Sequence, residues 1–165
     1  MINLKRILVP SDFSDCSDAA VRYGLALARK FGASLHLLHV IQDPATQPWA
    51  AEGFAVPLLE VVDQWQKDAR ARLELSIPPE DRANAIVACT IASPFPEILR
   101  YAAEHDIDLI VMGTHGRGGM SHVLLGSIAE KVVRRAPCPV LTVRSPQHDF
   151  VEAGSPIGVA VGAGR

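Results

Sequence analysis

Residues 107–127 read IDLIVMGTHGRGGMSHVLLGS. The stretch opens on an apolar run, residues 107–112, of strand length. It hardly alternates, as expected of a strand covered on both faces. The run stops at Gly113, and Gly116, Gly118 and Gly119 follow with one cation (Arg117) and two imidazoles (His115, His122) among them. A helical pattern begins at Gly126-Ser127. Strand, glycine-rich loop and helix start, in that order, present bare backbone N–H groups and the positive end of a helix to an anion, most often a phosphate.

The flanking chain repeats the same alternation. Residues 7–9 (Ile-Leu-Val), closed by Pro10, read as a first strand. Ser14 or Ser17 can cap the helix that follows. Ala20, Gly24, Leu27, Ala28 and Phe31 recur at helical spacing, with small residues that let the helix lie close to a sheet, and Gly32 stands where a C-cap glycine belongs. Residues 34–40 form a second strand, on which His36 and His39 face opposite sides. Both are read as rim or packing histidines. Residues 41–57, broken by Pro44, Pro48, Gly53 and Pro57, form a long loop.

Leu58, Val62, Trp65, Ala69 and Leu73 mark a second helix, and residues 85–91 a third strand. Ser93 and Pro94 open a third helix with Ile98, Leu99 and Ala102 as its buried stripe. Past the glycine loop, Ile128, Val132 and Val133 mark a fourth helix, whose last turn carries Arg134 and Arg135. Pro137 ends it, and residues 139–143 are a fifth strand. Five strands alternating with four helices predict an α/β fold: one open parallel sheet with helices on both faces, in a single domain over residues 1–144. The Gly/Ala-rich tail, residues 145–165, has no convincing period, although residues 157–161 could pair with a sheet edge.

The chain has 165 residues, enough for one domain with a proper core. Its net charge of −2 recommends neither nucleic acid nor an anionic membrane as partner. Cys16, Cys89 and Cys138 are odd in number and far apart, which points to a reducing compartment without disulfides or a zinc site. Lys5-Arg6 is followed by too short an apolar run for a signal peptide, and there is no run of about 18 apolar residues. A cytoplasmic location is the expectation.

Ligands of such sheets bind outside the carboxyl ends of the strands, where strand order reverses. If the fourth strand lies beside the first, Asp12 faces the glycine loop across that crevice. An acid there can bind ribose hydroxyls or help hold a metal. No G-x-x-x-x-G-K-[ST] loop is present, residues 116–121 lack the third glycine of a dinucleotide fingerprint, and no G-x-S-x-G elbow frames Ser121 or Ser127. No metal-ligand set and no catalytic residue are assigned.

Gly113-x-x-Gly116, nine further residues, then Gly126-Ser127 resembles the G-2x-G-9x-G-[S/T] motif of the ATP-binding branch of the universal stress protein family. Four segments carry the resemblance in the same order: residues 7–14 (ILVPSDFS), 38–40 (LHV), 108–116 (DLIVMGTHG) and 137–140 (PCPV). It covers nearly the whole chain to Arg144. The resemblance implies a Rossmann-like sheet of order 3-2-1-4-5 and a homodimer formed by antiparallel pairing of fifth strands at Val140–Val143, a short edge that needs a partner.

By position, the resemblance implies that the Val40 backbone and the Pro10 side of the first loop, with Ser11, hold adenine. Asp12 would lie by ribose and phosphates. Met112 and the amides of Gly113 and Gly116, with Gly126, Ser127 and Ile128 at the helix start, would form the phosphate side. Mg²⁺ would accompany ATP. His115, Arg117 and Ser121 stand inside the loop but outside the motif. The chain departs from the family pattern at Ala92, where many members have glycine, and in its longer tail.

Three functions fit these residues. The first is a stress-response regulator that binds ATP and hydrolyses it slowly at most, since no general base beyond Asp12 and no arginine finger can be assigned. The second is a nucleotide-dependent hydrolase or transferase using Asp12 or His115. The third is a nucleotide-free scaffold dimer.

Overall fold

The computed structural model describes residues 2–43, 58–114, 125–144 and 151. Strands β1 (Arg6–Pro10), β2 (Ser34–Ile41), β3 (Ala85–Ile91), β4 (Leu109–Gly113) and β5 (Val140–Val143) alternate with helices α1 (Asp15–Phe31), α2 (Leu58–Leu75), α3 (Pro94–Glu104) and α4 (Ser127–Arg135). The strands form one parallel sheet in the order β3-β2-β1-β4-β5. This is the expected doubly covered α/β sheet, and its order reverses between β1 and β4.

Alternation along β1 sets up two cores. Ile7 and Val9 face α1 and α2 with Leu35, Leu37, Val111 and Leu73. Leu8 faces the other way, toward α3 and α4, with Leu38, Ile98, Tyr101, Ile110, Met112 and Val132. The central strands are covered on both faces, which is why residues 110–112 show no polar alternation.

Helix α1 is delimited by local chemistry. Ser14 is its N-cap, accepting from Ser17 N–H at 3.3 Å, and Gly32 closes it at φ 67°. Its small residues bring it onto the sheet: a Cβ on Gly24 would lie 2.5 Å from Val9 Cγ2. His36 and His39 do take opposite faces. His36 is buried, with Nδ1 3.1 Å from the Tyr101 hydroxyl, while His39 reaches the β1–α1 loop.

Four local details differ from the sequence expectation. The fourth strand begins at Leu109 rather than Ile107, because the backbone turns at Asp106 (φ 45°) and Ile107 N–H donates back to the α3 carbonyl of Ala102. Asp108 instead staples the start of β1: its Oδ2 accepts from Lys5 N–H and Arg6 N–H at 2.8 and 2.9 Å. Ser93 occupies the cap position of α3 without a capping side-chain bond. A 3₁₀ turn at Pro79–Asn84 joins α2 to β3 and docks on α1 through Arg29 with Asp81.

The long loop expected over residues 41–57 is described only to Asp43. The candidate strand at 157–161 lies outside the described residues, and of the tail only Val151 is described, packed against the α1–α2 core. No helix among the described residues is long and apolar enough to cross a membrane.

Candidate functional site

Because the strands are parallel, their carboxyl ends share one edge of the sheet, and the order reverses between β1 and β4, the place where such sheets hold a ligand crevice. The loop after β1 forms one side. Pro10 is the last residue of β1, in register with Leu38, and Ser11 N–H donates to the Leu38 carbonyl at 2.9 Å. The buried Ser11 hydroxyl lies 3.2 Å from Ser17 Oγ and accepts from Phe13 N–H at 3.2 Å. Asp12 Oδ1 accepts from the Ser14 hydroxyl at 2.6 Å and from Ser14 N–H at 3.1 Å. The carboxylate is thus held by a tight turn at the start of α1.

The end of β4 forms the other side. A Cβ on Gly113 would lie 2.9 Å from the Cys16 backbone in the first turn of α1, so the two sides touch directly. Gly113 has a packing reason to be glycine, independent of any ligand. Thr114, buried, knits three elements together. Its N–H donates to the Val143 carbonyl of β5 at 2.9 Å, and its carbonyl accepts from Gly126 N–H at 2.6 Å. The start of α4 is thereby folded back onto the end of β4, although eleven residues separate Thr114 from Gly126 in the chain.

Gly126 is the N-cap of α4 with φ −66° and ψ 153°, a conformation open to any residue. Glycine there supplies no side-chain acceptor for the first-turn amides, which leaves them suited to an anionic ligand. Ser127 and Ile128 are exposed at this end. Val40 is half-buried near the end of β2, paired with Thr90. Met112 contributes its side chain to the α3–α4 core, at 5% exposure, instead of lining an open crevice.

Pro10, Ser11, Asp12, Val40, Met112, Gly113, Gly126, Ser127 and Ile128 therefore belong to strand ends or a helix start at one edge. Gly116, with His115, Arg117 and Ser121, lies outside the described residues.

Sequence reasoning missed Thr114, the tie between β4, β5 and α4, and the Ser14–Asp12 pairing. The Asp-x-Ser spacing before a helix was the available signal for the second. It also missed Phe13 and Arg72, whose contact across elements left no sequence signal.

Burial pushes the thiols of Cys89 and Cys138 up, which suits packing residues better than nucleophiles. Among the described residues no group of three or more His, Cys, Asp or Glu is placed to hold a metal ion. The arrangement offers helix-terminal amides for phosphate oxygens and one carboxylate for hydroxyls or a phosphate-bound cation.

Comparison with known proteins agrees with this architecture. The model of the universal stress protein family matches residues 3–144. A universal stress protein of Methanocaldococcus jannaschii, MJ0531, is 31% identical over 145 residues, which is 88% of this chain and 85% of that protein. The solved structure of universal stress protein UspA from Lactobacillus plantarum superposes with a TM-score of 0.71 at 32% identity, over 87% of this chain and all of that one. The structure of MJ0577 gives 0.73 at 27% identity, over 90% and 100%. A universal stress protein solved with cAMP shares the fold, with a TM-score of 0.59 at 24% identity over 88% and 100%. With the family model spanning residues 3–144 and the sheet order in agreement, this chain belongs to the universal stress protein family.

Proposed function

We propose that this chain is an ATP-binding stress-response regulator that works in the cytoplasm as a homodimer and hydrolyses ATP slowly at most. The observation that carries the reading is the start of α4. Its glycine cap is tied to Thr114 at the end of β4, so that first-turn amides given no side-chain cap by Gly126 stand at the strand-order reversal, where the Asp12 loop also ends. In this reading Pro10, Ser11 and Val40 hold the adenine, and Asp12 meets the ribose and phosphates. Gly113, Gly116, Gly126, Ser127 and Ile128 offer amides to the phosphates, with Met112 packed beneath them. That another protein of this fold was solved with cAMP is in keeping with an adenine nucleotide as the ligand class.

Mg²⁺ fits the same residues. It is commonly held by one or two carboxylates together with substrate phosphates, and Asp12 is a carboxylate at the crevice. Bound there, Mg²⁺ would neutralise phosphate charge. The homodimer would form through β5, a terminal strand of the sheet.

The test is to release whatever the purified protein carries by heat, identify it by absorbance and mass, and titrate ATP with Mg²⁺ into the emptied protein. An adenine nucleotide in the first step and ATP binding in the second are expected. Gly116→Val should abolish binding in a folded protein, because a branched Cβ blocks phosphate approach to the backbone. ATP affinity retained in that variant would refute the site assignment. Fast turnover that disappears in Asp12→Ala would make the protein an enzyme instead, and a chain that binds no nucleotide would be the scaffold.

A further inference from the structure

Phe13, the residue after Asp12, sits at φ 62°. That left-handed conformation is costly for a bulky side chain and favours glycine. Such strain persists only where the surroundings over-determine it, and here three elements do so. From β2, His39 lies against the Phe13 ring, tilted 36° to it with 4.4 Å between centroids, and the same imidazole lies with Nδ1 2.7 Å from the Ser11 carbonyl. A carbonyl only accepts, so His39 donates from Nδ1 and fastens the loop one residue before Asp12. From α2, the Arg72 guanidinium lies over the Phe13 ring, 4.3 Å from its centroid. From within the loop, Ser11 Oγ accepts from Phe13 N–H, and Ser17 of α1 stands 3.2 Å from the same hydroxyl.

The ring thus holds a backbone shape that glycine would adopt without strain. A glycine, though, would give His39 and Arg72 nothing to grip. The residues on either side of the ring's backbone are the partners in the Asp12 turn: Ser14 donates twice to Asp12 Oδ1. Rotating residue 13 out of the left-handed region would break that turn and re-aim the carboxylate.

We propose that Phe13 and Arg72 are positioning residues for the ligand of the crevice: the ring, gripped between His39 of β2 and Arg72 of α2, presets the Ser11–Ser14 loop so that Asp12 meets the nucleotide without reorganising. This rests on the nucleotide-binding reading for its ligand, and on geometry alone for its effect on the loop. A preset loop binds more tightly because the ordering cost is met during folding. Arg72 also faces Asp18, whose carboxyl burial pushes up while the Arg72 charge draws it down. A substitution at Arg72 alone therefore mixes two effects, and a cycle with Phe13 separates them.

The experiment compares wild type, Phe13→Leu, Phe13→Tyr, Arg72→Gln and the Leu/Gln double variant in the full chain. Two readouts are taken: ATP–Mg²⁺ affinity by calorimetry, and hydrogen-exchange protection of the Ser14 amide without nucleotide. Phe13→Leu should weaken ATP roughly five- to tenfold, and Arg72→Gln roughly threefold. The double variant should be no weaker than Phe13→Leu, and Phe13→Tyr, which keeps the ring, should recover wild-type affinity. Ser14 protection should fall in Phe13→Leu and Arg72→Gln and return in Phe13→Tyr.

Wild-type affinity and wild-type Ser14 protection in folded Phe13→Leu and Arg72→Gln would overturn the proposal. Additive losses in the double variant would overturn the coupling between the two residues. Loss of Ser14 protection in the variants of a chain that binds no ATP would uphold the loop-setting role and refute the nucleotide reading instead.

Discussion

Gly113 and Cys16 meet with no room for a side chain between them: a Cβ on residue 113 would lie 2.9 Å from the Cys16 carbonyl carbon, its oxygen and its Cβ. The obstacle is largely backbone in the first turn of α1, which cannot swing aside as a flexible side chain does. Gly113→Ala should therefore push α1 off β4 and destabilise the fold by about 1–3 kcal/mol. Urea unfolding checks this. An unchanged midpoint would mean that the α1–β4 contact is loose. Gly113 and Gly116, alike in the motif, should thus respond differently to substitution, one in stability and the other in binding.

Gly24 sets a second contest of magnitudes. Alanine in a helix interior is worth about 1 kcal/mol over glycine. Against that, the new methyl would stand 2.5 Å from Val9 Cγ2 and 3.1 Å from Leu35 Cδ1. Val9 is fully buried in the central strand and stiff at χ1, so overpacking costs of about 1–3 kcal/mol should win. Gly24→Ala should lower the melting temperature, and pairing it with Val9→Ala should cost less than the two losses summed. Strict additivity in that pair would contradict the contact.

His36 makes stability depend on pH. Burial pushes its imidazole down from 6.5 to about 4, and the neighbouring His105 and Arg6 add to the shift. The unfolded chain then takes up a proton below about 6.5 that the folded chain refuses until about 4. Folding stability should be full above that window and fall as pH drops through it, by up to about 1.4 kcal/mol per pH unit, levelling off near 4. His36→Gln keeps a partner for the Tyr101 hydroxyl and removes the titration. The difference between the wild-type and variant unfolding curves should slope between pH 4 and 6.5 and be flat above it; a flat difference throughout would show that His36 titrates normally.

β5 ends the sheet beside β4, with Leu141 in register with Val111. If fifth strands pair across a dimer, Leu141→Glu should shift sedimentation toward the monomer, since like charges would face one another across the two-fold axis. A variant that sediments as wild type would place the dimer contact elsewhere.

Much of the fold was legible because its signals are local. Ser14 and Gly32 bracket α1 through capping chemistry, and residues 110–112 announce a doubly covered strand by failing to alternate. Boundaries slipped where backbone bonds cross between elements. Ile107 looks like strand but donates to Ala102, and Asp108 spends its carboxylate on Lys5 and Arg6. The site was half legible. Asp12 and the Gly113–Gly126 spacing stand out by type and interval, whereas Thr114 is an ordinary threonine until it is seen between Val143 and Gly126.

By itself the sequence determined the alternation of strands and helices, because periodicity, caps and glycines act over a few residues. From the residues alone the adjacency of β1 and β4 stayed conditional, and it came only by resemblance. The tertiary structure decided that Gly113, at the end of β4, is bare because Cys16 lies against it, and that Phe13 holds a strained backbone because His39 of β2 and Arg72 of α2 close on its ring. Those pairs are distant in the chain, and only the packing of α1, α2 and β2 about the sheet brings them within contact.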